Sequence, residues 1–108
     1  MGVGMQITYL GFAGSAPIEA EAGMQLVRIE RFREYLSGCH LTVEAVSNGP
    51  FHGKPTGHLY DARLDLITRT NDLITVEHCL NEDPGIALRA AFDAAERRLE
   101  QTLRRQRS

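Results

Sequence analysis

The side chains in this sequence that could do chemistry fall into three groups: cysteines beside histidines, carboxylates on a strand-like segment, and arginines toward the C-terminal end. Cys39-His40 and His78-Cys79 invite a metal reading, with His52 and His58 between them. Neighbouring residues of a strand point to opposite faces, so neither pair can easily put both side chains on one ion. The spacing matches no standard zinc pattern. The expectation is no metal and no cofactor, with Cys39 and Cys79 as buried or edge thiols. Asp61 and Asp65 lie opposite the apolar positions Tyr60, Ala62, Leu64 and Leu66. Acid–base work by carboxylates needs a pocket that raises one pKa, and solvated sheet charges are the simpler reading. Tyr9, Tyr35 and Tyr60 read as amphipathic packing residues. No phosphate-binding glycine loop, G-x-S-x-G or H-E-x-x-H is present, so no enzyme is expected.

The arginines carry the remaining functional signal. Leu88, Phe92, Ala95, Leu99 and Leu103 recur at three- or four-residue spacing, one apolar stripe of a helix. Its other side carries Arg89, Arg97, Arg98, Arg104 and Arg105. Asp93 precedes Arg97 by four residues, Glu100 precedes Arg104 by four, and Arg89 has Asp93 one turn on. Such pairs contribute a few tenths of a kcal/mol each. Arg98 and Arg105 have no acid three or four residues away and stand seven apart on one side. Two such guanidinium groups can clamp successive phosphates, each through a bidentate pair. Arg28 and Arg31, with Gln25, project to the polar side of an earlier helix. The plainer reading is that these arginines complement helix dipoles and solvate the surface.

The elements that must position these residues follow from periodicity. Met5 to Phe12 alternates as a strand with one wet face. Ser15 is the expected N-cap of a helix with Pro17 in its first turn and an apolar stripe of Ile18, Ala22, Leu26, Ile29, Phe32 and Leu36; Ser37-Gly38 ends it. Gly23 inside this helix costs about 1 kcal/mol relative to Ala, which suggests a close approach of another element. Cys39 to Val46 is a second strand and residues 47–57 an exposed loop. Leu59 to Thr68 and Leu73 to Cys79 are the third and fourth strands, joined by a turn at Arg69-Thr70-Asn71-Asp72. Asp83 is the expected N-cap of the last helix, with Pro84 at its first position. Two amphipathic helices need one apolar floor, which predicts an α+β two-layer sandwich: β-α-β-β-β-α, four strands, both helices on one face.

The 108 residues suit a single domain spanning 1–108. No apolar run approaches the ~20 residues of a membrane span, and the N-terminus lacks the basic and apolar regions of a signal peptide. Two cysteines suggest no disulfide framework, which fits a reducing cytoplasm. The net charge of −2 argues against a generic DNA or RNA binder. Its distribution is lopsided: six arginines against three acids from Arg89 onward, but three basic residues against seven acids over 37–88. That asymmetry can steer an anionic partner toward the last helix.

The element order, the opening MQIT and the ending AFDAAERRLEQTLRRQ together resemble the ribosome hibernation-promoting factor and ribosome-associated inhibitor family. Ala91-Phe92-Asp93, Arg98-Leu99 and Leu103-Arg104-Arg105 match that family's last-helix pattern. Ile18, Leu26, Ile29 and Phe32 match its first-helix spacing, with Arg28 at a commonly basic position; YDARLDL resembles its third strand, and His52 to His58 resembles a loop of some members. The likeness spans about residues 5–107 in layout. It implies a β-α-β-β-β-α domain resembling double-stranded RNA-binding folds, in the short form without a C-terminal dimerisation domain. It also implies a cytoplasmic partner, the small ribosomal subunit, bound through ribosomal RNA in the mRNA and tRNA channel so that translation is silenced in stress or stationary phase. The RNA-binding residues so expected are Arg28, Arg31, Lys54, Arg89, Arg97, Arg98, Arg104 and Arg105, with no membrane or DNA contact. The alternative is a diverged protein-interaction or regulatory module that keeps the fold without the RNA.

Overall fold

In the computed structural model, which describes residues 2–47 and 58–107, the chain runs β1 (Gly4–Leu10), α1 (Ala16–Ile29), β2 (Leu36–Ser47), β3 (His58–Thr68), β4 (Leu73–Thr75), β5 (Cys79–Asn81) and α2 (Pro84–Arg107). The expected loop at 47–57, and with it Lys54 and His52, lies outside the described residues except for Ser47, which ends β2. β1 pairs parallel with β2, and β2, β3 and β4 follow antiparallel, with β5 also on β3. The architecture is the α+β sandwich that the periodicity predicts. Cys39, Leu41 and Val43 of β2 align with Leu66, Leu64 and Ala62 of β3 and are buried. Alternation therefore puts one continuous apolar face under the helices.

Both helices dock on that face by their predicted stripes. On α2, Leu88, Phe92, Ala95 and Leu99 are fully buried, with Ala87, Ala91 and Ala94 between them, and Leu103 is packed at the margin. On α1, Ile18, Ala22 and Ile29 are buried. Ser15 caps α1 by accepting from the Ile18 N–H at 3.4 Å. The Asp83 carboxylate accepts from the Gly85 N–H at 2.8 Å, while its carbonyl accepts from Ala87 N–H. Both caps satisfy amides that a helix start leaves without partners.

Three features differ from the sequence expectation. The first helix ends at Ile29, not near Leu36, because the chain tightens into a 3₁₀ turn at Glu30–Phe32 and then enters β2 at Leu36. Phe32 and Leu36 still reach the core, so the apolar spacing survives the change of geometry. The expected fourth strand is two strands, and the sheet has five rather than four. Thr75 pairs with Asp65 and Cys79 with Ala62, so four steps from 75 to 79 face three from 65 to 62. The extra residue is a β-bulge; it buries Val76 and turns both Glu77 and His78 outward. Finally, among the described residues no heavy atom outside α1's own backbone lies within 4 Å of where a Cβ on Gly23 would sit, so no close approach between them explains that glycine.

Candidate nucleic-acid interface

The structure sorts the sequence-predicted arginines into two sets. The groove between α1 and α2 holds the first. Arg28 Nη2 donates to Asp93 Oδ1 at 2.8 Å and also to Glu96, while its Nη1 donates to Gln25 Oε1 at 2.7 Å. Hydrogen bonds donated to Asp93, then to Glu96, hold the Arg28 pKa above its ordinary value. Arg31 reaches the other Glu96 oxygen at 3.0 Å and Glu100 at 3.1 Å, with its guanidinium 4.3 Å from the centre of the Phe32 ring. Arg89 contacts Glu21 at 3.4 Å, and Glu21 accepts from Gln25 Nε2 at 2.8 Å. The result is one chain of charge-assisted hydrogen bonds running along the helix pair.

This network replaces most of the pairing expected within the last helix. Asp93 turns across to Arg28, and Arg89 turns across to Glu21. Glu100 keeps a long contact to Arg104, 3.9 Å, beside its bond to Arg31. The sequence carried a signal for it: basic residues three apart, Arg28 on α1 and Arg31 in the 3₁₀ turn after it, face acids three and four apart on α2, at Asp93, Glu96 and Glu100. Only the packing of α1 beside α2 shows that the two sets meet.

The second set lies on the outer side of α2. Arg97 and Arg98 are exposed and line a shallow cleft of about 280 Å³ with Val76, Glu77, Ala94 and Gln101. The cleft lies where Val76 and Glu77, in the segment between β4 and β5, run beside α2. Arg98 Nη1 sits 3.5 Å from the Thr75 carbonyl, at the limit of a hydrogen bond. Arg104 and Arg105 continue the same helix, both exposed, with Arg104 turned back toward the groove beside Arg31 and Glu100. The cleft mouth is polar and presents guanidinium donors, chemistry suited to an anion.

On the sheet face away from the helices, Asp61 and Asp65 are mostly buried rather than solvated as expected. Asp61 Oδ2 meets His78 Nδ1 at 2.7 Å, and Arg63 Nε lies 3.5 Å from Asp65. The bulge delivers His78 to Asp61, which strand alternation could not anticipate. His40 Nε2 meets the Thr8 hydroxyl at 2.7 Å on this face, whereas Cys39 is buried beneath the helices. Burial raises the Cys39 pKa to about 11 and pushes Cys79 up as well. Tyr9, Phe12 and Tyr60 form an edge-to-face cluster, with ring centres 5.4 and 5.2 Å apart. Among the described residues no group of three or more His, Cys, Asp or Glu side chains could hold a metal ion, and no helix is long and apolar enough to cross a membrane.

No protein-family model and no curated protein sequence matches the chain. Solved structures do. The chain is similar to a ribosomal subunit interface protein from Coxiella burnetii, with a TM-score of 0.66 at 17% identity, covering 93% of this chain and 97% of that one. It is also similar to the N-terminal domain of Protein Y from Thermus thermophilus, with a TM-score of 0.64 at 17% identity, covering 97% and 98%. The chain thus has the α+β fold of these two proteins, over almost the full length of each. At this identity the likeness is one of fold.

Proposed function

We propose that this chain is a ribosome-associated protein that binds RNA of the small subunit in the mRNA and tRNA channel and inhibits translation under stress or in stationary phase. The observation that carries the reading is the shared fold with a ribosomal subunit interface protein across nearly all of both chains. The arginines of α2 supply the chemistry. Phosphate contacts position a protein on RNA, and structured RNA is recognised mostly by shape and backbone. Arg97, Arg98, Arg104 and Arg105 are exposed along one helix, and Arg98 and Arg105 are two turns apart. Inhibition needs no catalytic group, because occupancy of the channel excludes competing ligands. Lys54 remains an expected contact, whereas Arg28, Arg31 and Arg89 reach RNA only by loosening carboxylate partners.

The test is co-sedimentation with purified small subunits at two salt concentrations. Binding is expected to fall steeply with salt, since each neutralised phosphate adds roughly 0.7–0.9 to the log–log slope. Arg98→Glu with Arg105→Glu is expected to weaken pelleting at least tenfold and lower that slope by about 2. Unchanged pelleting of the folded double variant refutes the site. Binding to a non-ribosomal protein partner with no subunit association refutes the function.

A further inference from the structure

Both edges of the sheet are open among the described residues, but only one is a good template. On one side β4 and β5 are three residues each, split by the bulge, a device that spoils pairing with another chain. On the other, β1 is seven residues long and in unbroken register with β2 from Gly4 to Leu10. Every second residue of such an edge turns its N–H and C=O outward, and β1 has no lysine, proline or bulge to block a new strand. We propose that β1 pairs antiparallel with β1 of a second copy of this chain, about a two-fold axis at Ile7, giving one sheet continuous through both copies.

Charge favours a second copy as the occupant. A two-fold interface sets one surface against itself, so charges near its axis face like charges. The chain is 24% charged, yet residues 1–18 contain no Asp, Glu, Lys, Arg or His. The edge strand lies inside that run. Shape agrees with the register. A two-fold at Ile7 places Gln6 opposite Thr8, Met5 opposite Tyr9, and Gly4 opposite Leu10. Leu10 is a 45% exposed leucine, and the space above Gly4 is empty to 4 Å. The exposed leucine of each copy fills the space over the glycine of the other.

Gly23 supports the same axis. Glu19 sits close enough to Tyr9 to raise its pKa after burial does, and Glu30 accepts from the Val3 N–H at 3.1 and 3.2 Å. The Glu30 hydrogen bonds, together with the influence of the Glu19 charge on Tyr9, put the side of α1 that runs from Glu19 through Gly23 to its C-cap Glu30 along β1. At about 1.5 Å per helical residue and about 3.3 Å per strand residue, Gly23 falls level with Ile7. The glycine that no contact among the described residues requires is therefore at the axis, where two α1 helices approach.

Sedimentation velocity on the full chain, from low to high micromolar concentration, is expected to show mass rising to twice 12.0 kDa. Gln6→Lys with Thr8→Lys sets lysine against lysine in this register and is expected to keep the protein monomeric with an unchanged circular dichroism spectrum. Mixing it with Gln6→Glu/Thr8→Glu is expected to restore the doubled mass. A chain monomeric throughout overturns the proposal. So does a lysine variant that is folded and still dimeric, or a charge-swapped mixture that stays monomeric. If the lysine variant does not fold, Gln6→Cys and Thr8→Cys decide. Oxidised together they are expected to give a crosslinked dimer that neither gives alone, and no excess crosslinking in the mixture overturns the register. This pairing is independent of ribosome binding.

Discussion

Glu96→Ala is the most informative single change, because Glu96 is the node joining α2 to both Arg28 and Arg31. Its carboxylate is 18% exposed and accepts from Arg28 through one oxygen and from Arg31 through the other. Arg28 is 37% and Arg31 53% exposed, so solvent screens both pairs. Each is then worth about 0.2–1 kcal/mol rather than the value of a buried pair. Losing both contacts costs about 0.4–2 kcal/mol, which lowers Tm by roughly 2–12 °C in a domain of this size. A thermal melt measures it. A double-mutant cycle with Arg28→Ala is expected to give a coupling of about 0.5–1 kcal/mol. A Tm equal to the parent would refute the view that this network fastens the helices. The same variant also separates two roles for the arginines. If Arg28 and Arg31 contact RNA, freeing them tightens low-salt subunit binding even as stability falls; if they only fasten the helices, affinity stays within twofold.

Other perturbations have defined signs. Asp83→Ala removes the cap at Gly85 N–H and is expected to cost about 1 kcal/mol in urea unfolding, with α2 otherwise retained. Cys39 has a pKa raised from 9.0 to about 11, so between those values the folded state binds more protons than the unfolded state. Stability is therefore complete below pH 9 and declines as pH rises toward 11, by on the order of 2 kcal/mol. Cys39→Ala should flatten that decline while lowering stability at pH 7, and a slope unchanged by the substitution would count against the thiol as its source. At neutral pH the buried Cys39 thiol is expected to resist alkylation far longer than it does in denaturant.

Much of the fold was legible because its signals are local. The alternation of Cys39, Leu41 and Val43 and the stripe Leu88, Phe92, Ala95 and Leu99 name their buried faces directly, and Ser15 and Asp83 mark helix starts by their capping chemistry. The departures are where two segments had to be compared. A bulge exists only as a mismatch in count between Thr75–Cys79 and Asp65–Ala62, and neither segment contains it alone. The same holds for the site. Acid neighbours along α2 gave partners for Arg97 and Arg104, but acids choose partners by distance in space. Asp93 turned to Arg28, 65 positions earlier in the chain. Gly23 was visible as an oddity, and the closeness it suggested has no source among the described residues of one copy.

The interhelix network also bears on how a chain of net charge −2 could present the proposed anion-binding surface. Charge counted over a sequence treats every carboxylate as a repulsive neighbour of every phosphate. Here Glu21, Asp93, Glu96 and Glu100 are directed into the groove, where Arg28, Arg31 and Arg89 answer them at contact distance. Opposite charges at such range make a field that falls off quickly, and salt screens what remains beyond about 10 Å. The groove is thus close to neutral when viewed from outside. The outer side of α2 has a different balance, with Arg97 and Arg98 facing one acid, Glu77, across the cleft. A partner meets local potential rather than the sum, so the acidic total does not oppose binding along this helix. The arginines rank accordingly. Charge reversal at Arg98 changes a surface that an approaching phosphate meets directly. The same reversal at Arg28 first sets two acids, Asp93 and Glu96, against a third, and its main effect should fall on stability.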